Sequence, residues 1–152
     1  FVDPVNKAIG LSHSGWKGTV GRIGQITVEE MAKAFASKAE DIIALIGPSI
    51  CMDCYEVGED VAGEFKNGFS SIGQNTNKAV DEANMVLKKN GRDRYQLNLW
   101  EANRRILIEA GLKEEHIHIS GVCTSCNSQL LFSHRKSKGK RGSLAAFLAI
   151  RQ

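Results

Sequence analysis

Two Cys-x-x-Cys spacings, Cys51 with Cys54 and Cys123 with Cys126, carry the sharpest chemical signal in the chain. Each spacing suits a metal knuckle, and four thiolates together would close a tetrahedral zinc site. Against that, the whole of 55–122 lies between the pairs, and neither pair is flanked by glycine in the manner of a zinc ribbon. Cysteine is also at home as a small buried hydrophobe, so inert thiols are the default and a four-cysteine zinc site is the alternative. A redox dithiol has less behind it, because neither motif opens a helix whose N-terminus would lower a thiol pKa.

His13 lies in Leu11-Ser12-His13-Ser14-Gly15-Trp16-Lys17-Gly18, where an apolar strand hands over to a glycine turn and then a helix. A neutral imidazole at such a junction could ligate a metal, although a loop histidine satisfied by hydrogen bonds has the same pattern. The free amides of the following helix, together with Lys17, would favour an anion. The two glycines fit neither a dinucleotide nor a P-loop fingerprint. Between Arg135 and Arg141, residues Arg135, Lys136, Lys138, Lys140 and Arg141 are basic, enough for a local phosphate-attracting field or simply a solvated loop. His116 and His118 alternate as half-exposed strand residues, Trp16 and Trp100 read as packing residues near helix starts, and no set of side chains completes a triad.

These residues need elements to hold them. Lys7–Ser12 reads as a buried strand. From Thr19 to about Ser37, apolar residues recur at helical spacing with Glu29, Glu30, Lys33 and Lys38 opposite. Ile42–Ile46 is a continuous apolar run stopped by Gly47-Pro48, which reads as a strand buried on both faces. A loop over 48–58 precedes a short helix over Glu59–Lys66 and a polar stretch from Gly68 to Asn77. Met85–Leu87 and Tyr95–Leu99 flank Asn90-Gly91, a strong hairpin signal. Asn98 with Glu101 makes a capping-box-like start to a helix that Gly111 ends. His116–Val122 then reads as a strand, and Leu144–Ile150 as a final apolar run. Interleaved helices and strands give an α/β or mixed α+β class.

The composition is 42% hydrophobic and 24% charged, with two prolines in 152 residues, which excludes a disordered or collagen-like chain. No apolar run approaches the roughly 18 residues of a membrane span, and the first residues lack the pattern of a signal peptide, so a soluble, cytoplasmic protein is expected. A net charge of +3 argues against nucleic acid as the partner.

Four ordered stretches carry a resemblance: His13-Ser14-Gly15-Trp16-Lys17-Gly18-Thr19; Ile46-Gly47-Pro48-Ser49-Ile50 with Cys54-Tyr55-Glu56-Val57-Gly58; Leu97-Asn98-Leu99-Trp100-Glu101-Ala102-Asn103-Arg104; and Cys123-Thr124 with Phe132-Ser133-His134-Arg135. Together they resemble the bacterial laccase-domain family, first described as multicopper polyphenol oxidoreductases and treated as purine nucleoside phosphorylases with adenosine deaminase activity. The resemblance implies a layered α/β/β/α sandwich and one metal, zinc with copper as the alternative, bound by two histidines and a cysteine. His13 maps onto one of those ligands. The other two lie upstream of this motif, in segments the chain does not contain, and none of the four cysteines occupies the ligand-cysteine motif.

On this resemblance residues 1–152 are expected to be one domain, the C-terminal portion of a longer protein and inactive in isolation. His13, Lys17 and Arg135 become the candidate catalytic residues, with purine nucleosides and phosphate as the small-molecule partners. Lys17 stands where the family commonly has arginine, which weakens planar recognition of phosphate. A truncated layered fold should expose an apolar edge near Ala8–Leu11 unless a second copy or the N-terminal segment covers it. Two alternative functions remain at this point: a laccase-type copper oxidation of polyphenols, and a non-enzymatic module binding phosphate or nucleic acid around a four-cysteine zinc.

Overall fold

The computed structural model describes residues 1–70, 85–138, 140 and 142–151. The elements run β1 (Val2–Asp3), β2 (Ala8–Ile9), α1 (Trp16–Val20), α2 (Ile23–Phe35), β3 (Ala44–Ile46), β4 (Glu56–Gly58), α3 (Glu59–Ser70), β5 (Leu87–Lys89), β6 (Arg94–Leu97), α4 (Leu99–Glu109) and β7 (Ile117–Ile119). The class is mixed α/β, as the interleaved pattern predicts. Among the described residues the strands form three small sheets: antiparallel β1 with β2, parallel β3 with β7, and antiparallel β4–β6–β5.

Helix α4 is the element on which the rest is assembled. Asn98 caps it by accepting the Glu101 N–H on Oδ1 at 3.2 Å, as the spacing predicts. Its apolar face then divides. Leu99, Ala102 and Ile106 enter a cluster with Phe65, Val86 and Leu97, whereas Leu107 enters a second cluster with Val28, Met31, Ile42 and Ile117. Ile106 is fully buried, so truncating it to alanine would cost about 2–5 kcal/mol.

Several expectations need correction. The helix expected from Thr19 begins earlier, at Trp16, and is two helices. The break is at Arg22, whose φ of 57° no continuing helix adopts. Arg22 is held there because its Nε donates to Gln25 Oε1 at 2.7 Å while its guanidinium pairs with Glu109 at the end of α4. The apolar run at 42–46 is covered on one face only: Ile42 and Ala44 are buried, but Leu45 is 65% exposed. Its side chains alternate across a short strand whose outer face no described element covers, so the run looked buried only because both faces are apolar.

The hairpin forms, with Asn90 N–H donating to the Arg94 carbonyl at 2.7 Å and Gly91 at φ 92°, although its first strand starts at Leu87 instead of Met85. Helix α3 runs beyond Lys66 to Ser70, and the polar stretch expected after it lies, from 71 on, outside the described residues. The expected strand at His116–Val122 shortens to β7, with His116 in a helical turn before it. Leu144–Ile150 has no regular structure and is exposed, Phe147 at 93%. In the stretch Ala8–Leu11, Ala8 is buried and Leu11 exposed, so it is covered at one end and open at the other. Among the described residues no helix is long and apolar enough to cross a membrane.

Candidate functional site

Two neighbourhoods gather the residues singled out by sequence. The first is the junction between β2 and α1. His13 is exposed, and the chain folds back tightly beneath it. A Cβ on Gly15 would lie 3.0 Å from His13 Nε2, and one on Gly18 would lie 2.9 Å from the His13 carbonyl oxygen. Any side chain at Gly18 would strike backbone, so glycine there is what lets the imidazole sit over the start of the helix.

Thr19 fixes the junction from below. Its buried Oγ1 donates to the Gly15 carbonyl at 3.0 Å and accepts the Asn103 Nδ2 hydrogen at 3.1 Å; the same Nδ2 also donates to the Leu99 carbonyl at 2.8 Å. The position of His13 is thereby tied to α4. Sequence reasoning missed this pair, because a threonine and an asparagine 84 positions apart carry no local signal. The anion site expected from free helix amides is weaker than the pattern suggested: α1 has only five residues and therefore little dipole. Charge at this junction comes instead from Lys17, exposed, with Nζ 5.5 Å from the centre of the Trp16 ring.

Arg135 reaches a different segment. Its NH1 donates to the Glu56 carbonyl at 2.8 Å, and its guanidinium lies 5.3 Å from the centre of the Tyr55 ring. Burial pushes the Tyr55 hydroxyl pKa up, against the opposing pull of Arg135. Lys136, Lys138 and Lys140 are exposed, and Arg141 lies outside the described residues. A shallow hollow of about 250 Å³ opens beside them, lined by Ser128, Phe132, Ser133, Lys136 and Ser137. His116 is half-buried and His118 exposed, in different elements and not on one strand face.

The second neighbourhood is the cysteine cluster. The Sγ atoms of Cys51, Cys54, Cys123 and Cys126 all lie within 4.8 Å of one another, although default packing would have left the two pairs apart. Cys54 and Cys126 sulfurs approach to 3.5 Å, and Cys123 Sγ accepts the Cys51 N–H at 3.3 Å and the Cys126 N–H at 3.4 Å. For Cys123, burial raises the pKa, but the amide hydrogens of Cys51 and Cys126 outweigh it and bring the thiol down to about 6. Cys126 is pushed up to about 12 by sharing hydrogen bonds with Cys54, Cys123 and Cys51.

Among the described residues these four are the group of His, Cys, Asp or Glu donors compact enough for one ion, and His13 stands outside it. A single exposed imidazole does not by itself hold zinc or copper, which take about three or four protein donors. Among the described residues no set of donors completes a metal site at His13.

Relatives cover the chain along its whole length. It is 36% identical over 152 residues to a Bacillus subtilis protein named purine nucleoside phosphorylase YlmD, a match that takes in 100% of this chain and 51% of that one. It is 35% identical over 136 residues to a protein named adenosine deaminase RL5 from an unknown prokaryotic organism, covering 90% of this chain and 48% of the other. The crystal structure of the Bacillus licheniformis hypothetical protein YfiH superposes with a TM-score of 0.80 at 34% identity, over 91% of this chain and 48% of that chain. The chain therefore spans about half the length of the curated relatives it matches. The profile of the multi-copper polyphenol oxidoreductase laccase family matches residues 1–151, and the chain belongs to that family.

Proposed function

We propose that the protein is a purine nucleoside phosphorylase, with adenosine deamination as a second activity, and that His13, Lys17 and Arg135 are what this chain contributes to the site. The observation that carries this reading is the 36% identity, over every residue of the chain, to a relative named for that reaction. The relative named adenosine deaminase supports the second activity.

In phosphorolysis a phosphate oxygen bonds to the anomeric carbon, the bond from that carbon to the purine nitrogen breaks, and the base leaves with the electron pair and takes up a proton. Ribose 1-phosphate and free base result. Phosphate brings negative charge that needs cationic donors, which is the role given to Lys17 and Arg135. Arg135 spends one N–H on the Glu56 carbonyl, and the rest of its fork stays available to an anion. His13 is assigned as one metal ligand, the remaining donors coming from outside this chain; a metal bound there would polarise a substrate oxygen or activate water.

The test is release of free base from inosine and adenosine in phosphate buffer. It is run on the 152-residue chain and on a polypeptide extended before Phe1 to the length of the relatives, with zinc supplied. Activity is expected in the extended form, and His13→Ala should abolish it. Activity in neither form, with both folded and metal present, would overturn the reading.

A further inference from the structure

β3 and β7 run parallel, Ala44 beside Ile117 through Ile46 beside Ile119, and the pairing continues past both strands as a bridge between Ser49 and Cys123. Two loops therefore leave the same end of one sheet side by side, each carrying a Cys-x-x-Cys. The first curls into a helical turn over Met52–Cys54, with Cys54 N–H on the Cys51 carbonyl at 3.2 Å. The second is closed by Asn127, whose backbone N–H and side-chain Nδ2 both donate to the Cys123 carbonyl, at 3.0 and 2.8 Å.

Zinc bound to four thiolates has Zn–S distances of about 2.3 Å, which sets the sulfur–sulfur edge of the tetrahedron at about 3.8 Å. The four sulfurs here lie within 4.8 Å of one another, with Cys54 and Cys126 at 3.5 Å, so none has far to move. The two amides that donate to Cys123 Sγ are the kind of outer partner that orients a thiolate ligand and disperses its charge.

We propose that Cys51, Cys54, Cys123 and Cys126 form a closed tetrahedral zinc site, structural in role and separate from any metal at His13. With four protein ligands it has no open position for substrate. Binding exchanges thiol protons for the metal and involves no redox step. Its effect would be felt at Ser49 and Tyr55, which flank the first knuckle: Ser49 accepts from Trp100, and Tyr55 carries Arg135 on its ring. The ion would thus fasten the segment on which Arg135 rests.

The chain, purified under reducing conditions, is unfolded with a chelator and refolded with cobalt(II) as a spectroscopic substitute for zinc. One cobalt per chain is expected, with intense sulfur-to-cobalt charge-transfer bands and the visible absorption of tetrahedral cobalt, both removed by added zinc. His13→Ala should give the same spectrum, and Cys54→Ser or Cys126→Ser should weaken metal binding by at least about tenfold. Because a serine variant can fail to fold, X-ray absorption at the zinc edge of the unsubstituted chain supplies an independent reading: a shell of four sulfurs supports the site. A reduced, folded chain that binds no metal would overturn the proposal, as would a shell containing nitrogen or oxygen ligands, or a spectrum lost in His13→Ala.

Discussion

Trp100 donates its indole N–H to the Ser49 hydroxyl at 2.6 Å, across 51 positions of sequence. Ser49 also donates its own N–H to the Val122 carbonyl at 3.2 Å and accepts the Thr124 N–H at 3.1 Å. One serine thus ties the first turn of α4 to both cysteine-bearing loops. Trp100→Phe keeps most of the ring packing and removes the donor. It should lower unfolding stability by about 1 kcal/mol, read from the urea midpoint at unchanged slope. An unchanged midpoint would show that the bond contributes nothing in water.

The Thr19–Asn103 pair leads to a larger expected effect. Both residues are buried, so Asn103→Leu would leave Thr19 Oγ1 without its donor and force a branched side chain between α4 and α1. A loss of about 1–3 kcal/mol is expected from the stranded polar group alone. On the proposed function, phosphorolysis by the extended polypeptide should fall together with it, because the junction carrying His13 would lose its anchor. Asn103→Asp keeps the size but removes the Nδ2 hydrogens that serve both Thr19 Oγ1 and the Leu99 carbonyl, and sets a carboxylate against two acceptors in a buried place, so it should be destabilised as well. Equal stability in all three forms would show that the pair does not hold the junction.

What the sequence made legible was local chemistry. Asn98 was readable as a cap because the partner that completes it, Glu101, is three residues away, and Asn90-Gly91 as a turn because the φ it demands belongs to one residue. The cysteine cluster was readable only as an alternative to inert thiols, because it depends on β3 lying parallel to β7, a register between residues more than 70 positions apart. Read by spacing alone, the long gap between the pairs counted against a common site, yet parallel neighbours bring their C-terminal loops together whatever the chain does between them. Likewise the break at Arg22, where the side chain pairs with Glu109 far along the chain, leaves no local mark, and the helical period of 16–35 runs through it unbroken. The four motif stretches identified the family because they gather the junction, the cap and the Tyr55–Arg135 contact, whose residues meet only in the fold.

Lys17 offers a test of phosphate recognition by shape as well as by charge. An ammonium is a point charge, whereas a guanidinium offers a planar pair of N–H donors that matches two phosphate oxygens. Lys17→Arg, assayed in the extended polypeptide, should lower KM for phosphate severalfold with little change in KM for the nucleoside, and Lys17→Ala should raise KM for phosphate. The residue is exposed, so neither change should disturb folding. A phosphate KM indifferent to both variants would remove Lys17 from the site.

Asp3 sets the acid limit of the fold. Its side chain is buried at the end of β1, where Oδ1 accepts the N–H groups of Val5 and Asn6 at 2.9 and 3.0 Å and Oδ2 accepts Asn6 Nδ2 at 2.8 Å. The Ser37 hydroxyl lies close enough to favour the charged carboxylate, though outside strict hydrogen-bond geometry, and it acts together with the Asn6 side chain. Against burial, which would raise it, these donors hold the Asp3 pKa at about 2. A carboxylate whose pKa is lower in the folded chain than in the unfolded one stabilises the fold fully above the unfolded value of about 4 and loses that contribution as pH falls toward the folded value. Unfolding free energy should therefore decline between about pH 4 and about pH 2 more steeply in the unsubstituted chain than in Asp3→Asn, whose side chain does not titrate. The gap between the two proteins, wide at neutral pH, should narrow on acidification. A gap that widens as the solution is acidified would mean that Asp3 is protonated in the folded chain, and that the turn leading into β2 and the His13 junction is held by its neutral form.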